Sequence, residues 1–172
     1  MKLSGKKIAI LVEKYYEEIE LWYPYYRLRE EGAIVVRIGS GTAKTYEGKY
    51  GYPVTPDKSI DEVNAKDFDA VIIPGGFSPD FMRRSEHMVQ FVKDIYAHRG
   101  VAAAICHGPW MLISANLVRG KKATSFFAIK TDMVNAGAEY IDTEVVSDQR
   151  IVTSRKPDDL PAFCKAIIDA LE

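Results

Sequence analysis

This chain of 172 residues has few cysteines, few histidines and almost no net charge. Its two cysteines, Cys106 and Cys164, are too few for a disulfide framework, which is typical of a protein from a reducing cytoplasm. Its three histidines lack the spacing of metal ligands, so we expect no metal site and assign no cofactor.

The charge and hydropathy patterns exclude two further classes of protein. Lysine and arginine number 23 against 24 acidic residues, and no basic stripe suggests electrostatic binding of nucleic acid. No apolar run reaches the length of a membrane span, and the first one, residues 8–12, is too short for the core of a signal peptide. We therefore expect a cytoplasmic protein without nucleic-acid or membrane partners, in one domain of ordinary globular composition.

Short apolar runs alternate with segments of helical periodicity along the chain. Strands are predicted at 7–12, 33–38, 70–73, 101–105 and 122–124, and a hairpin within 143–154. Helices are predicted at 19–31, 86–98, 109–115 and 131–136, with a final helix on the apolar spacing of residues 160–171, and residues 39–58 form an excursion with a small hairpin. This order predicts a three-layer α/β fold with a mainly parallel sheet.

Ligands bind beyond the carboxyl ends of the strands in such a sheet. Three predicted loops fit that description, at residues 13–18, 74–80 and 106–109. We expect them to converge in space although they are far apart in sequence.

Cys106 is the first candidate for chemistry. The apolar run 101–105 ends at this cysteine, and Gly108-Pro109 then opens an amphipathic stretch, which predicts a strand–turn–helix elbow with the thiol at its apex. The helix dipole and free backbone N–H groups there favour the nucleophilic thiolate. The alternative is a small core side chain, the role that we assign to Cys164 on the apolar face of the last helix.

Acidic residues cluster in the first loop. Glu13, Glu17, Glu18 and Glu20 fit a solvated helix N-terminus, where acids interact well with the helix dipole. Alternatively, one of them turns toward Cys106, where the like charge favours a protonated carboxyl that hydrogen-bonds the sulfur or carries a proton to substrate. Spacing does not choose between Glu17, Glu18 and Glu20.

Other candidates flank the elbow. Pro74-Gly75-Gly76 is either a plain turn or a source of backbone N–H groups for an oxyanion hole, in which Gly75 and Gly76 leave room for substrate. Asp80 follows on the same loop, in a position to orient a histidine. His107 is either a catalytic base or a histidine at a surface or interface, because adjacent residues on a turn usually point in different directions.

Several motifs together resemble the PfpI family of the ThiJ/PfpI superfamily. They are Tyr16-Glu-Glu-Ile-Glu-Leu-Trp-Tyr-Pro24, Ile72-Ile-Pro-Gly-Gly76, Ala104-Ile-Cys-His-Gly-Pro109, Thr124-Ser125, Asn135-Ala-Gly-Ala138 and Thr153-Ser-Arg155. The resemblance implies one ThiJ/PfpI domain over residues 1–172, a flavodoxin-like α/β/α sandwich related to class I glutamine amidotransferases. It also implies that Cys106 is the nucleophile, that Glu17 contacts its sulfur with Glu20 in support, and that Gly76 and the His107 backbone line the oxyanion site.

Peptidase-like relatives are described with a Cys–His–acid triad completed by a neighbouring subunit. The resemblance transfers this triad to Cys106, His107 and Asp80, and implies a homo-oligomer, a dimer or hexamer, with the site at a subunit interface. The chain departs from its relatives after Thr124-Ser125, where they often have a tyrosine and this chain has Phe126-Phe127. The hydroxyl of that tyrosine is missing, which bears on the range of substrates.

Two functions share these residues. The favoured one is a cysteine-dependent hydrolase or lyase acting on carbonyl substrates, as a deglycase, a glyoxalase or an intracellular peptidase, with a small aldehyde, a glycated compound or a peptide as substrate. The alternative is a non-enzymatic stress protein that senses redox state or acts as a chaperone through oxidation of Cys106. A glutamine amidotransferase is set aside, because such enzymes use a histidine well after the cysteine, and here His107 is the last one.

Overall fold

A computed structural model describes all of residues 1–172. The strands are β1 (Lys7–Val12), β2 (Ile34–Gly39), β3 (Tyr46–Glu47), β4 (Pro53–Val54), β5 (Lys58–Ser59), β6 (Ala70–Ile73), β7 (Val101–Ile105), β8 (Lys122–Ala123), β9 (Glu139–Tyr140), β10 (Val145–Asp148) and β11 (Ile151–Ser154). The helices are α1 (Glu18–Glu30), α2 (Ser78–Met82), α3 (Glu86–Ala97), α4 (Pro109–Ser114), α5 (Lys130–Asn135) and α6 (Leu160–Leu171), with 3₁₀ turns at 60–62, 65–67, 127–129 and 157–159.

Seven strands form the central sheet in the order β10-β11-β7-β6-β1-β2-β5. All neighbours pair in parallel except β10, which is antiparallel to β11. The inner strands β1, β6 and β7 are apolar and almost wholly buried, as expected of strands covered on both faces. The mainly parallel, three-layer fold predicted from the sequence is confirmed.

Each face of the sheet carries its own apolar core. On one face, alternate residues of β1 and β7 pack with Leu21 and Leu28 of α1 and with the apolar side of α6. On the other, the remaining residues of the same strands pack with α3 and α4, through side chains such as Val92 and Met111. The sheet therefore holds the ends of β1, β6 and β7 in fixed relative positions.

The main differences from the prediction lie between the regular elements. The helix α2 (Ser78–Met82) begins inside the predicted 74–80 loop and continues past it, so Asp80 lies on a helix. Pro24 lies in the middle of α1 instead of its first turns, where it leaves the Glu20 carbonyl without its usual N–H donor. Burial of Pro24 against the core keeps it in the helix.

No helix of the structure combines the length and the apolarity needed to cross a membrane.

Candidate active site

The predicted elbow follows β7. Cys106 has a left-handed backbone with φ of 64°, a conformation that a non-glycine residue adopts rarely and usually at a functional turn. Two backbone hydrogen bonds fix this conformation: the Cys106 N–H donates to the Ser154 carbonyl at 3.0 Å, and the Cys106 carbonyl accepts the N–H of Phe126 at 2.9 Å. The side chain is 8% exposed.

The loops after β1, β6 and β7 converge as predicted. The N–H of Phe77 donates to the Tyr15 carbonyl at 2.9 Å, and the N–H of Glu17 donates to the Gly75 carbonyl at 3.3 Å. Gly76 has φ of 70°, and a Cβ there would lie 2.6 Å from the Glu17 nitrogen, so only glycine allows this approach. Gly75 in turn lies against the elbow, where its Cβ would be 2.8 Å from that of Cys106.

The acid beside the thiol is Glu20, which corrects the expectation that Glu17 contacts the sulfur. Glu17 is the N-cap of α1, and its carboxylate accepts the N–H of Glu20 at 3.1 Å. Glu20 is fully buried one turn further on, where Oε2 accepts the Gly75 N–H at 2.7 Å and Oε1 lacks a hydrogen-bond partner. The capping geometry turns Glu17 back to the helix start and leaves Glu20 as the acid that faces Gly75 and Cys106.

The two glycines of the expected oxyanion site differ in what their N–H groups do. The Gly75 N–H is bound to Glu20 and is not free for a substrate oxygen, which corrects that part of the prediction. The N–H groups of Gly76 and His107 donate to the sulfur of Cys106, and this lowers its pKa. These two donors, from two different loops, are the backbone groups available beside the reacting atom.

Burial opposes the thiolate that the elbow is expected to favour. Burial, and then the nearby charge of Glu20, raises the pKa of Cys106 to about 12. The helix that follows has six residues, so its dipole is short, and the two backbone donors do not offset the loss of solvation.

Glu20 is the second unusual acid of the site. Burial, reinforced by the charge of Glu17, raises its pKa to about 8, although the Gly75 N–H acts in the opposite direction. Burial raises the pKa of both groups, and the charge of Glu20 further raises the pKa of Cys106, whereas the hydrogen bond with Cys106 acts to lower the pKa of Glu20.

His107 faces the sulfur despite being its sequence neighbour. Its Nδ1 lies 3.4 Å from the Sγ of Cys106, and its ring packs between Trp110 and Phe126 at centroid distances of 5.2 and 5.1 Å. Burial and the charge of Lys49 lower the pKa of His107, whereas Asp132 acts to raise it. A neutral imidazole beside a thiol is arranged to accept its proton.

Asp80 is not brought to His107 within one chain. Its carboxylate pairs with Arg84 on the same helical turn, at 2.6 Å from Oδ2 to Nη2, and both side chains are largely exposed. The surface around it is aromatic, since Tyr15, Phe77, Phe81 and Trp110 line a shallow cavity of about 430 Å³ beside Asp80.

A larger cavity of about 690 Å³ shares Tyr15 and Phe81 with the first. Its polar wall is formed by the buried carboxylate of Glu13 and the hydroxyls of Ser40, Thr42 and Tyr46, which are hydrogen-bonded to one another. Trp110, which packs against His107, lines the smaller of these two cavities.

Sequence reasoning missed Lys49 and the pair Trp110–Asp132. Lys49 lies in the excursion at 39–58, whose turn is attached to α1 because Glu18 accepts the Tyr50 N–H at 2.7 Å. Its charge acts on Cys106, Glu20 and His107 together. No local spacing connects it with the elbow, whereas the interval from His107 to Trp110 is one helical turn and indicates proximity.

Comparison with known proteins follows this geometry. The model of the DJ-1/PfpI family matches residues 6–170. The chain is 48% identical over 161 residues to protein/nucleic acid deglycase 2 of Escherichia coli, covering 92% of this chain and 94% of that one. It is 45% identical over 168 residues to the putative cysteine protease YraA of Bacillus subtilis, covering 98% and 99%.

Among solved structures, a two-domain protein of Anabaena variabilis with DJ-1/ThiJ/PfpI-like and ferritin-like domains superposes with a TM-score of 0.94 at 45% identity. The match covers 97% of this chain and 48% of that one, so this chain spans about half of the two-domain protein. Because the family model matches nearly the whole of this chain, the chain belongs to the DJ-1/PfpI family.

Proposed function

We propose that this protein is a PfpI-type cysteine-dependent enzyme that converts reactive aldehydes and the adducts they form on proteins. The observation that carries the proposal is the environment of the Cys106 sulfur. A neutral histidine lies 3.4 Å away, two backbone N–H groups donate to it, and a carboxyl with a raised pKa lies beside it. The relatives named as a deglycase and a putative cysteine protease support a cysteine-dependent activity.

The first step is addition of the thiol to the carbonyl carbon. With methylglyoxal, the sulfur forms a bond to the aldehyde carbon while its proton passes to Nδ1 of His107. The carbonyl π electrons move to the oxygen, which takes up a proton and gives a hemithioacetal. The N–H groups of Gly76 and His107 are the donors for the developing negative charge.

The second step is a proton transfer within the adduct. Glu20 starts protonated and gives its proton to the carbonyl oxygen in the first step. Its carboxylate then removes the hydrogen from the former aldehyde carbon and returns a proton to the neighbouring carbon, while the hydroxyl proton moves to the former ketone oxygen, which leaves a thioester of lactate on Cys106. Water then cleaves the thioester, releasing lactate and restoring the thiol, so the net reaction adds one water to methylglyoxal. The free oxygen of Glu20 is the group available for this transfer.

Burial favours small carbonyl groups over extended peptides. Cys106 is only 8% exposed, so a reacting group must be slender, whereas the rest of a larger adduct could occupy the surface cavity lined by Tyr15, Phe81 and Trp110, since Trp110 packs against His107. Asp80, the acid of the peptidase-like triad, is paired with Arg84 and makes no hydrogen bond to His107 of its own chain.

We also propose a homo-oligomer in which Asp80 of one subunit approaches His107 of another, with residues 1–172 as one domain. The exposed aromatic side chains of Phe77 and Phe127, at 64% and 76% exposure, support an interface on this face. Sedimentation measurements on the wild type and on Phe77→Ser test it. We expect a dimer or hexamer that Phe77→Ser weakens, and a monomeric wild type would refute this part.

The enzymatic proposal is tested by turnover of methylglyoxal, of methylglyoxal-modified protein and of a fluorogenic peptide. We expect Cys106→Ser to abolish conversion of the first two, with a loss of at least about a thousandfold, because the oxygen nucleophile is far weaker in the same position. Cys164→Ser, at the other buried cysteine, is the matched control and keeps activity.

The alternative is a protein that senses oxidants through Cys106. Its raised pKa leaves little thiolate, the form that oxidises, so we favour the enzyme. Absence of Cys106-dependent turnover of any of the three substrates, together with rapid oxidation of Cys106 by peroxide, would reverse this preference.

A further inference from the structure

The ring of His107 lacks the partner that usually fixes a catalytic histidine. The imidazole makes a single hydrogen-bonding contact, between Nδ1 and the Cys106 sulfur at 3.4 Å. In cysteine and serine enzymes of this type, a third group usually orients the base through its other nitrogen. Here packing must supply the orientation.

Two aromatic rings provide that packing. Trp110 meets His107 edge to face, at 5.2 Å and 72°, and Phe126 lies at 5.1 Å and 30° to it. Such contacts restrict rotation of the imidazole, and they are favourable for the imidazolium formed when it takes a proton.

Trp110 is itself anchored from two sides. Its indole Nε1 donates to Oδ2 of Asp132 on α5 at 2.9 Å, and the guanidinium of Arg83 lies 5.5 Å from its ring centre. Arg83 is fixed in turn by donation from Nε to the Ser114 hydroxyl at 3.0 Å. A continuous series of contacts within a single subunit therefore links Asp132 to Trp110, Trp110 to His107 and His107 to Cys106.

We propose that Trp110 and Asp132 are positioning residues for His107: the carboxylate fixes the indole, and the indole holds Nδ1 toward the Cys106 sulfur. The proposal rests on the proposed function, in which His107 accepts the proton of Cys106. It assigns the acid of a Cys–His–acid arrangement within one chain to Asp132, acting through Trp110, in addition to any Asp80 from a neighbouring subunit.

The charge of Asp132 supports the same role for it as its hydrogen bond to Trp110 does. The groups that face His107 are Cys106, with Glu20 behind it, Lys49 from the 48–52 turn, and Asp132 beyond Trp110. Lys49 and burial disfavour the imidazolium and lower the pKa of His107, whereas Asp132 favours it. Loss of the Asp132 charge therefore weakens the base even where the indole stays in place.

The test measures alkylation of Cys106 by iodoacetamide between pH 5 and 9, read by mass spectrometry of the Cys106 peptide, so it needs no substrate. Asp132→Ala removes both anchor and charge, Asp132→Asn keeps an acceptor for the indole, and Trp110→Phe keeps a ring but loses the hydrogen bond. Asp158→Asn, at an exposed aspartate with a single long ion pair, is the control.

We expect alkylation near pH 7 to fall about tenfold in Asp132→Ala and about fivefold in Trp110→Phe, less than the roughly 10²–10⁴-fold that a positioned base contributes, because His107 itself is retained. Asp132→Asn should retain most of the rate while the acid limb of its pH profile moves to lower pH. The ¹⁵N shifts of the imidazole should show the His107 pKa lowered in both Asp132 variants and unchanged in Asp158→Asn.

Equal alkylation rates and equal His107 pKa values in the wild type and all three folded variants would overturn the proposal. If Asp132→Ala does not fold, Asp132→Asn and Trp110→Phe decide the question by the same two readouts. If the wild type shows no turnover but the alkylation rates change as expected, the proposed function fails and the positioning role stands.

Discussion

Glu20 and Cys106 are buried side by side, and burial raises the pKa of both. A protonated carboxyl, a thiol and a neutral imidazole therefore make up the resting site at neutral pH, in contrast to a preformed thiolate–imidazolium pair. Proton movement must accompany attack on the substrate, which makes the rate sensitive to the protonation of Glu20 and His107.

We predict a bell-shaped pH dependence of kcat/KM. The acid limb reports His107 and has its midpoint below about 6.5, since the pKa of His107 is lowered. The alkaline limb reports Glu20, whose pKa of about 8 marks the loss of its proton. Glu20→Gln should reduce the rate about a hundredfold and remove the alkaline limb.

Glu17→Gln is the matched control, because Glu17 caps α1 and raises the pKa of Glu20 without contacting the sulfur. It should retain the alkaline limb, moved to lower pH, and most of the rate. An alkaline limb that vanishes in Glu17→Gln and persists in Glu20→Gln would restore Glu17 to the role first expected of it.

At the scale of the structural elements, the junction of three loops contributes more to positioning the groups of the site than any single helix does. The β1–α1 loop and the turn after β6 are held together by an isolated bridge between Tyr16 and Gly76 and by the bond from Phe77 to Tyr15. This junction places the Gly76 N–H at the sulfur and the start of α1 above it. A change that separates the loops should damage stability and activity together.

We predict that Gly76→Ala destabilises the protein by roughly 1–3 kcal/mol more than Gly120→Ala. Both glycines have nearly the same φ, 70° and 71°, so both substitutions incur the same left-handed strain. Only Gly76 has backbone within contact of an added Cβ, since nothing lies within 4 Å at Gly120. Urea unfolding of the two variants measures the difference, and equal losses would show that the close approach contributes nothing.

For the whole molecule, the buried carboxyl of Glu20 couples stability to pH. Its pKa rises from about 4.5 in the unfolded chain to about 8 on folding, so the folded state holds a proton that the unfolded state has released between these pH values. The contribution of Glu20 to stability is therefore fully present below about pH 4.5 and is lost as the pH rises to about 8.

Replacement of this acid by a neutral isostere should stabilise the protein. We predict that Glu20→Gln raises the free energy of unfolding at pH 8 by a few kcal/mol, on the order of 3–5, and has little effect at pH 4.5. Thermal or urea unfolding at the two pH values checks the slope, with the exposed acid in Glu139→Gln as the control. A Glu20→Gln effect of equal size at both pH values would mean that the gain is not electrostatic.

Much of the fold was accessible from the sequence. The apolar runs at 7–12, 70–73 and 101–105 are strands with the predicted bounds, because strands buried on both faces must be apolar throughout. The convergence of the three loops was also predictable from the sequence, since parallel strands bring their carboxyl ends to one edge of the sheet. The short helix α2 was not foreseen, because five residues show no helical period.

The sequence by itself determined the sheet, the elbow at Cys106 and the acidic and glycine-rich loops around it, because periodicity and turn residues act locally. Only the tertiary structure decided that Glu20 and not Glu17 lies at the sulfur, since that depends on how α1 is capped and seated on the sheet. It also decided the protonation of the thiol, because a pKa depends on burial and on charges brought together from distant segments.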